Sequence, residues 1–69
     1  MAEALLSNRL KEARAALGLT QAELATQIGV SRKTINTVEN GVFVPSTILA
    51  LKLAAVLNRK VEDIFSLKE

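Results

Sequence analysis

The chain contains no cysteine and no histidine. The first absence excludes disulfide staples and thiolate chemistry. The second removes the commonest metal ligand and the usual general base near neutral pH. Tryptophan and tyrosine are missing too, leaving two phenylalanines as the only aromatics, and proline occurs once. No apolar run reaches the ~18 residues of a membrane span. The opening residues, MAEALLSNRLKEAR, place Glu3 early and lack the basic start and apolar middle of a cleavable signal. There is no Gly-rich phosphate loop, and the acids do not cluster: Glu62 and Asp63 are adjacent and poorly placed to act together. An enzyme is therefore not expected, nor is a metal or a cofactor, since short helices leave scant volume for a pocket. A soluble, cytoplasmic protein is expected.

What remains is 69 residues, 49% hydrophobic but only 3% aromatic. That length suits one domain, residues 1–69, with a small core. Abundant Ala and Leu argue for an all-α globule. The formal net charge of +2 permits a nucleic-acid partner without arguing for one.

Local signals divide the chain into five helices, which leave no room for a sheet. The first runs from about Leu5 or Ser7 to Leu17, with Leu6, Leu10, Ala13 and Leu17 on one stripe, and Gly18 ends it. "TQAE" is a capping box, opening a second helix from Gln21 to Ile28 that buries Leu24, Ala25 and Ile28. Gly29 supplies the turn, and Ser31 caps a third helix from Arg32 to about Asn40, closed by Gly41. Ser46 caps a fourth, Thr47 to Leu57, with Asn58 as its C-terminal cap. "VEDIF" is a final short helix, with Lys60 standing where a Ser or Thr cap would be expected. Met1 and this complete set fit a whole protein.

The third helix carries the functional signal. Placing Arg32 at zero on a helical wheel, Asn36 falls near ~40°, Asn40 near ~80°, Lys33 near ~100° and Thr37 near ~140°. Ile35 and Val38 lie on the opposite side with Ser31 and Thr34. A merely solvated face is usually rich in Glu and Lys pairs. This arc instead holds two cations, two amides and a hydroxyl, and no acid: the groups that meet base edges and phosphates.

The whole stretch "LTQAELATQIGVSRKTINTVENG" resembles the helix-turn-helix of the Cro and phage-repressor (XRE) family of bacterial regulators. The likeness extends through "NRLKEAR", "VPS", "LALKLA" and "VEDIF". It implies a five-helix, lambda-repressor-like DNA-binding domain, whose helix-turn-helix (about residues 20–41) is formed by helices 2 and 3. It further implies that Gln21 bonds a phosphate and braces the recognition helix, with Thr20 capping beside it. Arg32, Lys33 and Thr37 match base-reading positions, and Ser31, Thr34, Asn36 and Asn40 match positions that meet bases or phosphates. Arg14 and Glu39 match a structural pair, a buried salt bridge between the first and third helices.

The loop "GVFVP" departs from the family pattern, which commonly has a charged or polar phosphate contact there. Its backbone amides are left as the phosphate donors, and Phe43 is expected to pack in the core or as a helix staple rather than against a thymine methyl or a partner, with Val42 and Val44 favouring some burial. The fourth helix is apolar almost all round, so it wants cover from two directions. Ile48, Leu51, Ile64 and Leu67 are the candidates for a dimer contact, with Val61 and Phe65 in the core. The alternative is that Leu5 and Leu6 fold back over that surface. The expected function is a sequence-specific transcriptional regulator, a repressor binding a palindromic operator in double-stranded DNA as a homodimer. The competing reading is an antitoxin or controller-type module that acts mainly through a protein partner.

Overall fold

The computed structural model describes residues 6–68. In chain order the elements are β1 (Leu6–Asn8), α1 (Leu10–Ala16), α2 (Gln21–Ile28), α3 (Arg32–Glu39), α4 (Thr47–Leu57), α5 (Val61–Ile64) and β2 (Phe65–Leu67). Among the described residues there are five helices, as expected, but also a sheet. β1 and β2 form an antiparallel ribbon in which Leu6 faces Leu67, Ser7 faces Ser66 and Asn8 faces Phe65.

The ribbon corrects the start of the first helix. Asn8 ends β1 and turns the chain: its Oδ1 accepts the Leu10 N–H at 3.1 Å, and its Nδ2 donates to the Val38 carbonyl at 3.0 Å. The Arg9 N–H donates to the Ile64 carbonyl at 2.7 Å. With those groups committed, helix cannot extend back through Ser7. The expectation of a start at Leu5 lies outside the described residues, as does the folding back of Leu5 itself. At the other end α1 stops at Ala16, and Leu17, expected in the core, is 51% exposed; Leu19 packs against the core instead.

The next three helices begin and end where their caps dictate. Thr20 Oγ1 accepts the Glu23 N–H at 3.0 Å while Glu23 Oε1 accepts the Thr20 N–H at 2.8 Å. Ser31 Oγ accepts from the Thr34 N–H, and Ser46 Oγ from the Leu49 N–H. Each cap satisfies an amide that the first helical turn leaves unpaired. Gly29 joins α2 to α3 at φ 78°, a left-handed conformation that costs other residues about 1–2 kcal/mol. Asn58 takes the same region at φ 56° to end α4. Lys60 has no side chain able to accept, and the Asp63 carboxylate caps α5 by accepting the Lys60 N–H at 3.3 Å.

The core gathers Leu10, Leu24, Ile35, Val38, Leu53 and Leu57, all nearly inaccessible, with Ile64 and Phe65 closing it. Ile64 is 1% exposed, so its side chain is core and is removed from the candidate dimer face. The reason is register: β2 begins at Phe65, directly after α5, and the turn of chain that puts Phe65 against Asn8 also drives Ile64 inward.

Candidate nucleic-acid interface

Helices α2 and α3 meet through apolar residues on one side and a polar cluster on the other. The cluster begins with Arg14 of α1. Its Nε donates to Glu39 Oε2 at 2.6 Å, its Nη2 to Glu39 Oε1 at 3.3 Å and its Nη1 to the Leu19 carbonyl at 2.7 Å. The side chains are 13% and 3% exposed respectively, so this two-pronged ion pair is sheltered, and it ties α1 to the C-terminal end of α3. Such geometry satisfies the guanidinium fork on both tines.

Gln21 continues the network outward. Its Nε2 donates to Glu39 Oε1 at 3.0 Å and to Asn36 Oδ1 at 3.3 Å, and its Oε1 accepts from Arg32 Nη1 at 3.3 Å. Asn40 Nδ2 reaches Asn36 Oδ1 at 3.4 Å. One side chain at the start of α2 therefore touches three residues spaced along α3. Directional bonds at several heights fix the rotation of α3 about its own axis, which apolar packing alone leaves looser.

The expected polar arc is a continuous surface. Arg32, Lys33, Asn36 and Asn40 are exposed, and Thr34 and Thr37 are half-buried beside them. Ser31 and Thr20 sit exposed at the N-caps of α3 and α2. Thr37 Oγ1 donates to the Thr34 carbonyl at 3.0 Å, which commits its hydroxyl proton within the helix. Glu39 is the acid of α3, and its charge is already met by Arg14. The surface thus offers donors and cations with no competing free carboxylate on the same helix.

The helix-turn-helix family model matches residues 10–64. The chain belongs to the XRE-type helix-turn-helix family. It is 42% identical over 64 residues to an uncharacterised HTH-type transcriptional regulator of Bacillus subtilis, YgzD, covering 93% of this chain and 97% of that one. It is 51% identical over 61 residues to another such regulator of Methanothermobacter thermautotrophicus, covering 87% and 88%. Among solved structures it resembles the restriction-modification controller protein C.AhdI of Aeromonas hydrophila. There the TM-score is 0.75 and the identity 38%, over 80% of each chain. As a member of the family, this protein is a DNA-binding transcriptional regulator, and the family is one of regulators rather than enzymes.

Away from α3 in sequence, Ile48, Leu51 and Leu67 are 68%, 56% and 77% exposed. Leu51 lines an apolar groove of about 280 Å³ with Leu6, Val44, Pro45, Val61 and Phe65. Of the loop residues, Val42 and Val44 are 77% and 58% exposed, more than expected, and Phe43, at 46%, is about half buried and not part of the core: the loop runs over the surface. Asn8 has a structural role that the helical stripe conceals. Its signal is nonetheless present, an asparagine two residues before an apolar helical position, which is an Asx-turn pattern. No described helix is long and apolar enough to cross a membrane.

Proposed function

We propose that this regulator acts as a homodimeric repressor that reads a palindromic operator with α3 in the major groove. The observation that carries the reading is the acid-free polar arc of α3, held at a defined rotation by Gln21 and the Arg14–Glu39 pair. In this reading Arg32 and Lys33, at the N-terminal end of α3, contact base edges, where a guanidinium or ammonium suits guanine O6 and N7. Asn36 and Thr37 lie one turn deeper. Ser31, Thr34, Asn40, Thr20 and Gln21 flank them and meet phosphates, with the N-terminal dipoles of α2 and α3 adding attraction.

Dimerisation would use the exposed residues of α4 and β2. Ile48, Leu51 and Leu67 leave large apolar surface in water, and a two-fold partner would cover the same patch on both copies. Two α3 helices would then enter successive major grooves about 34 Å apart. The same exposed face also supports a second reading, a module whose main contact is a different protein.

The test is selection of duplexes from a random DNA pool, with the Arg32→Ala/Lys33→Ala double variant run in parallel. Enrichment of a palindrome by the wild-type protein, lost in the folded double variant, is the expected result. A non-palindromic product would sink the dimer, and no enrichment by folded protein would sink the reading of α3.

A further inference from the structure

Two large apolar side chains stand in solvent beside the polar arc, Val42 at 77% and Phe43 at 46% exposure. Their backbone shows how they are held. The N–H groups of Val42 and Phe43 both donate to the Thr37 carbonyl, at 3.0 and 3.2 Å. Neither amide is left to meet a phosphate, and the loop is clamped against the flank of α3. Ser31, Lys33, Thr34, Thr37, Val42 and Phe43 together line a groove of about 360 Å³. The apolar pair is therefore continuous with the face assigned to DNA, and none of the six residues is acidic.

We propose that Val42 and Phe43 form a thymine-reading site, packing on the C5-methyl group that thymine presents in the major groove. This inference rests on the reading of α3 as the helix that enters that groove. Among the four bases only thymine carries a methyl there, so an apolar contact distinguishes it where hydrogen bonds from Arg32 or Asn36 do not. Charge argues against a second copy of the chain as the occupant. A two-fold contact through this groove would bring two Lys33 side chains together, whereas the same cations complement phosphates on either side of a groove.

The experiment uses a duplex enriched from the random pool, resynthesised with deoxyuridine in place of one thymine at a time, which deletes only the methyl. The wild-type protein is expected to lose about fourfold in affinity at one or two positions per half-site, the burial value of a single carbon. Val42→Ala/Phe43→Ala is expected to bind thymine and deoxyuridine duplexes equally while keeping its melting temperature. Phe43→Leu, which retains apolar bulk, should keep the discrimination. Equal binding of both duplexes by the wild-type protein overturns the proposal, as does a methyl preference that survives in the double variant. If the double variant instead loses self-association in sedimentation and keeps the methyl preference, the pair belongs to a protein contact and the proposal fails. A pool that yields no duplex removes the reading of α3 and this inference with it; enrichment without methyl dependence removes the inference alone.

Discussion

Of the eight residues of α3 only Ile35 and Val38 are buried, whereas α4 buries Leu53, Ala54 and Leu57 and packs Leu49, Ala50 and Val56 against the core besides. α3 is placed by polar groups that act in particular directions: a serine cap, a glutamine that touches three of its side chains and an ion pair at its end. α4 is placed by apolar area, which is non-directional, and it has enough to leave Ile48 and Leu51 in solvent. A helix that must present a defined face to a rigid partner benefits from the first arrangement. A helix that serves as scaffold can use the second, and its surplus then becomes available for association. The comparison can be broken at either helix.

The largest effect is expected at Glu39. Glu39→Ala leaves the Arg14 guanidinium sheltered and without its carboxylate, and also removes an acceptor from Gln21. Breaking a buried pair from one side costs about 3 kcal/mol or more, a large share of what a domain this small can hold. Urea unfolding at neutral pH measures it. Arg14→Met/Glu39→Leu should recover much of the loss, since replacing both charges removes the desolvation penalty with the attraction. If that double variant is stable yet binds DNA poorly, the pair serves to orient α3 rather than to hold the fold together. If it is stable and binds normally, orientation by polar bonds is not needed, and the contrast between the helices collapses.

At Arg32 the expectation is the reverse, a functional loss without a structural one. Its side-chain bond to Gln21, at 3.3 Å, is exposed and contributes little. Arg32→Ala should keep the melting temperature while weakening operator binding by about 1–3 kcal/mol, roughly fivefold to 150-fold. Fluorescence anisotropy at fixed salt reads this. A uniform, sequence-independent weakening with a shallower salt slope would move Arg32 from base reading to phosphate contact.

α4 offers the complementary test. Leu51→Lys places a charge where the side chain is already 56% exposed, so the monomer should tolerate it. Self-association should fall by about tenfold or more, because burying a leucine contributes about 1.5–3 kcal/mol. Sedimentation velocity over a dilution series gives the constant. An unchanged dimer would move the association face away from α4.

The same contrast explains which features are legible in the amino-acid sequence. The bounds of α2, α3 and α4 follow from Thr20, Ser31, Ser46, Gly29 and Asn58, signals that act within a turn of themselves. The polar arc follows from spacing alone, because a helix of known start fixes which residues share a face. The ribbon is illegible: β1 is three residues long, and its partner lies 59 residues away at Ser66, so no local pattern announces it. Leu6 and Leu10 stand four apart, which imitates a helical stripe and hides the strand. Ile64 escapes assignment to the core because a four-residue helix is too short for periodicity to choose its inner face. Phe43 is expected inside because its neighbours Val42 and Val44 are apolar, and a short apolar run does not say whether a loop dips inward or crosses the surface. Whether the loop could dip into the core depends on how Thr37 engages the loop amides.

The smallest expected effect discriminates most finely between the two helices. Ser31→Ala and Ser46→Ala delete equivalent caps, bonds of 3.1 Å to Thr34 and Leu49 respectively, and each should cost about 1 kcal/mol of global stability. Their local consequences should differ. α4 is anchored along its length by buried side chains, so its amides should exchange only through global opening, and Ser46→Ala should lower their protection by the global amount. α3 has two buried anchors, and Ser31 also bonds the Thr34 hydroxyl at 3.0 Å. Its first turn should therefore open locally in Ser31→Ala, with loss of protection at Ile35 and Asn36 exceeding the global change. Hydrogen exchange followed residue by residue decides between these outcomes. Equal, purely global losses in both variants would mean that α3 draws its order from the core as α4 does, and that the polar bonds around Gln21 decorate a position already determined.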